Sequence, residues 1–329
     1  MRTETDAWLP PPSPDPSVEE GPALLVVNTR SRVGEEQFEH ARDRLGELGL
    51  ELTDAVALED PARLEALIAG AVRAGVRRIL VGGGDGSLAA AANVLAGSDV
   101  ALGILPCGTG NDFARSLHIP PDLEAACQIL ARGATRRVDL GRVNGRYFLN
   151  AASLGVTSDI AKNVNPGLKR RVGKLAYATA AASEAFKLSP FKARVVTEET
   201  TLELDCAQVV VGNGRYHGGG SLIAPEASLQ DRLLDVYVIA FQGTSSVDER
   251  LRFRDLLSLG RIGMLVRRGR HVHHDAVTHL RACTVRVETE PPLELDVDGE
   301  MSGTTPASFE VVPRALRVIA PPSASTPQT

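Results

Sequence analysis

The run Ile79-Leu80-Val81-Gly82-Gly83-Gly84-Asp85-Gly86-Ser87-Leu88-Ala89-Ala90-Ala91-Ala92 decides how this chain is read. An apolar stretch ends in a glycine cluster and passes at once into an alanine-rich segment, Ser87 to Ala96, that reads as a helix. Glycine reaches φ > 0 and leaves room for close approach, so a Gly-rich turn between a buried strand and a helix start lets backbone N–H groups face an anion. The first expectation is a nucleotide phosphate site at Gly83, Gly84, Asp85, Gly86 and Ser87. A merely tight connection is at least as common a use of one such turn. The stretch fits neither the Walker pattern, since no Lys follows the last glycine, nor Gly-x-Gly-x-x-Gly with a distal ribose-binding acid.

Outward from the turn, strands and helices alternate. Ala23 to Val27 reads as a buried first strand ending at Asn28, and Phe38, Ala41, Leu45 and Leu48 recur at helical spacing. Leu50 to Leu58 returns as a strand; Asp60-Pro61 supplies an N-cap and a first-turn proline for a helix carrying Leu64, Leu67, Ile68 and Val72 on one face. Strands at Arg77 to Val81 and Val100 to Leu105 continue the series, and a helix from Asp122 to Arg132 closes it. Such alternation implies an α/β fold with a doubly wound parallel sheet, whose ligands bind beyond the carboxyl ends of the strands. A second turn, Pro106-Cys107-Gly108-Thr109-Gly110-Asn111-Asp112-Phe113-Ala114-Arg115, stands at such an end. If the two strands are neighbours, the two glycine turns lie side by side.

From Arg136 the pattern changes. Val138 to Val143, an Asn144-Gly145 turn and Arg146 to Ala151 predict a hairpin, because Asn-Gly suits a type I′ turn. Further strands are expected at 192–198, 201–212, 233–240, 283–288, 293–297, 309–312 and 316–319, interrupted by helices at 173–187 and 247–266. The organisation expected is a tail over 1–22, an α/β nucleotide-binding domain over 23–140, a mainly antiparallel, β-sandwich-like domain over 141–308, and a tail over 321–329. A cleft between the domains is the natural place for a site.

Composition excludes several classes. A chain of 329 residues, 43% hydrophobic and 23% charged, matches a globular protein large enough for two cores. A net charge of −5 argues against a nucleic-acid binder. Cys107, Cys127, Cys206 and Cys283 lack metal-ligand spacing and read as reduced thiols, which fits a cytoplasmic protein. No run is long enough for a membrane span, and the proline-rich first 22 residues lack the apolar region of a secretory signal.

Several separated motifs together resemble the bacterial lipid kinases of the diacylglycerol kinase family, whose relatives include sphingosine kinases and, more distantly, NAD kinases. They are Gly83-Gly84-Asp85-Gly86-Ser87, the Pro106 to Arg115 turn, Gly212-Asn213-Gly214-Arg215-Tyr216 with Gly218-Gly219-Gly220, Ala224-Pro225 with Ser228-Leu229-x-Asp231, and Asp298-Gly299-Glu300. The first loop departs from the family's Asn-Pro-x-Ser-Gly, reading Asn28-Thr29-Arg30-Ser31-Arg32. The resemblance implies an ATP-binding domain, a β domain supplying catalytic and lipid-facing groups, and a final strand, near 309–320, that returns to the first domain. It implies nucleotide contacts from Asn28, Gly83 to Ser87, and Gly108, Thr109, Gly110 and Asn111, the Ser87 and Thr109 hydroxyls adding donors.

Phosphoryl transfer demands positioning and charge neutralisation more than covalent chemistry. Glycine turns beside aspartates cannot hold a polyanion without a cation between them, so Asp85, Asp112 and Asp139 are candidate Mg²⁺ ligands. Asp112 can equally cap its helix, and Asp139 can be an ordinary hairpin residue. By resemblance Asp298 is the base for the acceptor hydroxyl, and Glu300 positions it or joins the metal network. The bland alternative is an Asp-Gly hairpin turn. Also by resemblance, Asp231 with main-chain atoms at Ser228 and Leu233 holds a second, structural Mg²⁺, though Asp231 can equally be a turn residue. Two basic clusters, Lys169-Arg170-Arg171 with Lys174, and Arg267-Arg268 with Arg270, His271, His273 and His274, are candidate contacts for an anionic membrane face, or simply solvated surface. The function expected is an ATP- and Mg²⁺-dependent kinase acting on a lipid substrate, diacylglycerol before a sphingoid base or another lipid-like alcohol. A silent nucleotide or lipid sensor is the competing class, and a second copy of the chain is a candidate partner.

Overall fold

The computed structural model describes residues 21–30, 32–155, 190–240, 269 and 274–321. The helices expected at 173–187 and 247–266, the basic clusters apart from His274, and nearly all of both tails lie outside the described residues. The first half runs β1 (Ala23–Asn28), α1 (Arg32–Glu47), β2 (Leu52–Leu58), α2 (Leu64–Arg73), β3 (Arg78–Gly83), α3 (Asp85–Leu95), β4 (Ala101–Pro106), α4 (Asp112–Ser116) and α5 (Leu123–Arg132). β3 and β4 are buried along their whole length, as parallel strands covered on both faces must be. Asp60 caps the 3₁₀ turn before α2 by accepting from Ala62 N at 3.1 Å, and Asp122 caps α5 by accepting from Ala125 N at 2.8 Å.

β2, β1, β3 and β4 pair parallel in that order, so the winding reverses between β1 and β3. That switch point opens beyond Asn28, Gly83 and Pro106, the carboxyl ends of β1, β3 and β4.

The second half contains β5 (Ala134–Val143), β6 (Arg146–Phe148), β7 (Ala151–Gly155), β8 (Phe191–Thr197), β9 (Thr201–Gly212), β10 (Tyr216–His217), β11 (Ser221–Leu222), β12 (Leu234–Ala240), β13 (Val277–Ala282), β14 (Thr284–Glu290), β15 (Glu294–Val297), β16 (Glu300–Thr304) and β17 (Ala307–Ala320). Their pairings are antiparallel except where β17 meets β4. The β5–β6 turn has φ +50 at Asn144 and +86 at Gly145, the two positive values a type I′ turn requires. β13 and β16 were not expected from the sequence. Both are half-buried or exposed edge-type strands whose apolar content is too low for a period of two to show.

The last two expected strands form one, β17, with a register shift between Val312 and Leu316 and Arg314 at φ +53. Its first part pairs β14 and β5; its last part pairs β5 and, parallel at Arg317↔Ala101 and Val318↔Leu102, β4. β5 and β17 thus contribute to two apolar cores, one holding Leu25, Leu80, Leu102, Leu140 and Leu316, the other Val143, Phe148, Val209, Val236 and Phe309.

Asp139 holds the irregular part of β17. Its Oδ1 accepts from Arg314 N at 2.7 Å and its Oδ2 from Arg232 N at 2.8 Å, while its own N–H donates to Leu229 O at 2.7 Å. The carboxylate is buried and ties β5 to the bulge and to the 228–232 turn. Replacing it by alanine leaves two donors without their acceptor, so Asp139→Ala is expected to lower stability by about 2 kcal/mol. Urea unfolding reads this as a lower midpoint at unchanged slope; an unchanged midpoint would show that the bulge is held by something else.

Candidate active site

The two glycine turns touch backbone to backbone. Cys107 N donates to Gly83 O at 3.1 Å, a Cβ on Gly84 would stand 3.2 Å from the Gly108 Cα, and one on Gly108 would overlap the Gly84 Cα. This approach alone requires glycine at Gly108 and leaves Gly84 little room for a side chain. Asp85 Oδ1 accepts from Phe113 N at 3.0 Å, which locks the first turn to the start of α4. Gly84 is the N-cap of α3 and carries no side-chain cap, so the first N–H groups of the helix face the cleft.

The cleft measures about 550 Å³ and is lined by Asn28, Gly84, Gly86, Ser87 and Ala90, by Pro61, Ala62, Leu64 and Glu65 from α2 and the turn before it, and by Arg146 and Glu300. Pro61, Ala62, Leu64 and Ala90 give it an apolar part, while Glu65, Glu300 and Arg146 bring charge. Thr109 is exposed at the tip of the second turn. Asn111, at φ +53, turns inward: its Oδ1 accepts from Gly108 N at 3.0 Å and its Nδ2 donates to Gly108 O at 2.9 Å. Asn111 therefore braces the turn from within, and the main chain of Gly108 to Gly110 presents the outer surface.

Asp112 reaches across to the second half, accepting from Gly219 N at 2.8 Å and Gly220 N at 2.6 Å. Gly218, Gly219 and Gly220 lie at φ +70, +87 and +93, a run that only glycine adopts without strain. Arg115 sits beside them, its guanidinium 5.6 Å from the Tyr216 ring centre.

Asp298 meets the same junction from the other side. Its Oδ2 accepts from Leu149 N at 2.6 Å, and its Oδ1 from Asn150 N at 2.9 Å and Ala151 N at 3.2 Å. A carboxylate offers about four lone-pair directions, so one remains on Oδ2. Burial pushes the Asp298 carboxyl above the usual range, against the pull of those N–H groups and of His217. Asp296, buried beside it and accepting from Gly299 N at 2.8 Å, is raised for the same reason. Glu300 is exposed and pairs with Arg146 at 2.8 Å.

Asn150 joins the parts. Its main-chain oxygen accepts from Asn213 N at 2.8 Å and Gly214 N at 2.9 Å, its N–H holds Asp298, and its Nδ2 lies 3.4 Å from Asp85 Oδ1. Sequence reasoning did not single out Asn150, Arg146 or Asp296. A lone amide inside the run Tyr147-Phe148-Leu149-Asn150-Ala151 was the available signal.

The donors for a metal divide in two. Asp85 Oδ2 and Asp112 Oδ2 flank the space that a Cβ on Gly110 would fill, at 2.9 and 3.7 Å. Two carboxylates converging on a glycine cradle suit Mg²⁺ with retained waters. The other candidates are engaged otherwise: Asp139 ties β5 to Arg232 N and Arg314 N, and Asp231 accepts from Leu233 N at 3.1 Å through Oδ1 while Oδ2 pairs with Arg281. Ser228 Oγ accepts from Gln230 N at 3.3 Å. Burial pushes Asp231 up to about 6, with the Asp235 and Asp139 charges adding and Arg281 opposing. Among the described residues no three His, Cys, Asp or Glu side chains are grouped to hold a metal.

A model of the diacylglycerol kinase catalytic domain matches residues 22–143, and one of the YegS C-terminal NAD kinase beta sandwich-like domain matches residues 150–320. A diacylglycerol kinase of Mycobacterium tuberculosis H37Rv is 36% identical over 287 residues, covering 84% of this chain and 87% of its own. This chain belongs to the diacylglycerol kinase family. A YegS-like protein of Pseudomonas aeruginosa PAO1, named for lipid kinase activity, is 32% identical over 300 residues, 91% of this chain and 94% of that one. A diacylglycerol kinase structure from Bacillus anthracis str. Sterne shares the fold at a TM-score of 0.72 and 24% identity, covering 92% of this chain and 98% of that one. The kinase is a phosphotransferase with an alcohol acceptor, and its family implies ATP as donor. None of its described helices is long and apolar enough to cross a membrane.

The contact between the turns gives a direct test. Gly108→Ala is expected to force Gly84 and Gly108 apart and to raise the KM for ATP by about tenfold or more, since small misplacements in a positioning site are costly. Steady-state kinetics with a folded variant, checked by circular dichroism, measures it. An unchanged KM would show that the two turns do not share the donor.

Proposed function

We propose that the kinase transfers the γ-phosphate of ATP to the free hydroxyl of diacylglycerol, giving phosphatidic acid. The observation that carries this reading is the convergence at one junction of two touching glycine turns, two carboxylates beside Gly110, and an Asp298 carboxylate with a lone pair to spare. The curated relatives named diacylglycerol kinase support the choice of acceptor.

The nucleoside lies against Pro61, Ala62, Leu64 and Ala90, and the phosphates run to the N–H groups of Gly84 to Ser87, with the Gly108 turn packed directly behind Gly84. Asp85 and Asp112 would hold Mg²⁺, which would neutralise charge on the phosphates. The acceptor oxygen forms its bond to Pγ as the bond from Pγ to the β–γ bridging oxygen breaks, and ADP leaves. The proton of the acceptor hydroxyl passes to Asp298 Oδ2. Asn150 keeps this base in register with Asp85 through its two bonds. The acyl chains stay in the bilayer or an apolar groove while the headgroup hydroxyl enters the junction.

Incubation with γ-labelled ATP, Mg²⁺ and a panel of lipid alcohols tests the reading. Label on diacylglycerol is expected; label on a different lipid alcohol would move the acceptor, and no labelled lipid would overturn the kinase reading. Asp298→Asn, which keeps a side-chain oxygen to accept from the 149–151 amides, is expected to bind ATP as the parent does and to lose about 10²- to 10⁴-fold in kcat.

The pH dependence has a defined sign. The base must be deprotonated, and burial raises Asp298, so kcat/KM falls with decreasing pH through a value above the ordinary carboxylate, about 3.9. An acid limb at or below that value would show that Asp298 is not the titrating group.

A further inference from the structure

Resting on the kinase reading, we infer that Arg146 is the side-chain cation that binds the nucleotide's phosphates, and that ATP takes it from Glu300. Among the described residues eleven line the cleft, and of these Arg146 is the only cation while Glu65 and Glu300 are acids. A triphosphate entering such a site meets backbone dipoles on one side and carboxylates on the other. Arg146 supplies the missing positive charge, and its planar guanidinium can hold two phosphate oxygens at once.

The residue is placed for this by its hairpin. Asn144 and Gly145 turn the chain back, so Arg146 opens β6 at the mouth of the cleft. The next residue is clamped to the phosphate-binding helix: Tyr147 N donates to Asn93 Oδ1 at 3.0 Å, and Asn93 Nδ2 donates to Tyr147 O at 3.1 Å. Asn93 belongs to α3, whose N-terminus forms the glycine cradle. Arg146 thus rides on the same helix that presents the phosphate-facing N–H groups, and its backbone is fixed before any ligand arrives.

Its present partner is easily exchanged. The Arg146–Glu300 pair, at 2.8 Å, has side chains 43% and 58% exposed, and pairs so solvated contribute little. Glu300 Oε1 lies only 3.9 Å from where a Cβ on Gly86 would sit, so the pair spans the entrance to the cradle. Phosphate oxygens arriving there compete with the Glu300 carboxylate for one guanidinium. When they take it, Glu300 is left free at the cleft mouth, two residues from Asp298.

The test compares binding of ATP and of adenosine to Arg146→Ala, Arg146→Lys and Arg142→Ala by calorimetry. Arg142 lies on the same hairpin, pairs with Glu310 and does not line the cleft, so its variant controls for loss of a hairpin charge. Arg146→Ala is expected to weaken ATP by about tenfold or more while leaving adenosine unchanged, because the lost bonds are charge-assisted and reach only the phosphates. Arg146→Lys recovers part of the loss, and Arg142→Ala binds both ligands as the parent does. ATP binding within twofold of the parent in Arg146→Ala, or equal weakening of ATP and adenosine, would overturn the assignment of Arg146 alone. Parent protein that fails to bind ATP would instead overturn the kinase reading on which it rests.

Discussion

The three consecutive N–H groups of Leu149, Asn150 and Ala151, all donating to the Asp298 carboxylate, set how the halves of the site face each other. The donors end the β5–β6 hairpin, which is anchored on α3; the acceptor sits on a turn nearly 150 residues later. Ala151 O accepts in return from Asp298 N at 3.0 Å, so the two segments are stitched in both directions. Hydrogen bonds to a charged acceptor are about twice as strong as neutral ones. The arrangement therefore fixes the Asp298 carboxylate and the frame together. Loss of the carboxylate would leave three N–H groups in want of an acceptor, which is why the geometry cannot relax piecemeal.

The same principle separates the aspartates. Each was a candidate for metal or proton chemistry by type, and the fold gives each a different set of partners. Asp139 accepts through both oxygens from Arg232 and Arg314 and serves the β17 bulge. Asp231 is matched to Arg281, a guanidinium in the position where a cation was expected. Asp112 accepts through both oxygens as well, yet its Oδ2 stays near Asp85 Oδ2 beside Gly110, the place where two carboxylates meet without a guanidinium between them. What each carboxylate faces separates them, since Asp112 and Asp139 accept the same number of N–H bonds.

What could be read from the sequence was what is local. The glycine turns, the Asn144-Gly145 hairpin and the caps at Asp60 and Asp122 are dictated by a few adjacent residues, and the alternation of strand and helix made β3 and β4 plausible neighbours before their pairing was seen. Asn111 shows the limit: its type and place suggested a nucleotide contact, but its φ of +53 turns the amide into its own loop. β17 shows another, for a bulge at Arg314 made one strand look like two. Asn150 and Arg146 were invisible because their partners, Asp85, Asn213, Asp298 and Glu300, lie far off in sequence. Such pairings depend on which strands become neighbours, and no short window contains that.

The junction also explains why its carboxylates differ in exposure. Asp298 is half-buried and held by main chain, so it keeps one geometry and a raised proton affinity, both suited to accepting a proton at a fixed place. Glu300, two residues on, is exposed and held only by Arg146. One hairpin thus carries two kinds of acid: the turn between β15 and β16 holds the Asp298 carboxylate against main-chain amides and leaves Glu300 in solvent beside Arg146. The constraint is steric as much as electrostatic. Gly299, at φ +90 between them, lets the chain reverse so that Asp298 points inward to the 149–151 amides and Glu300 outward to the cleft mouth. A side chain at that position would be strained in this conformation, and relaxing it would turn one carboxylate away from its partner.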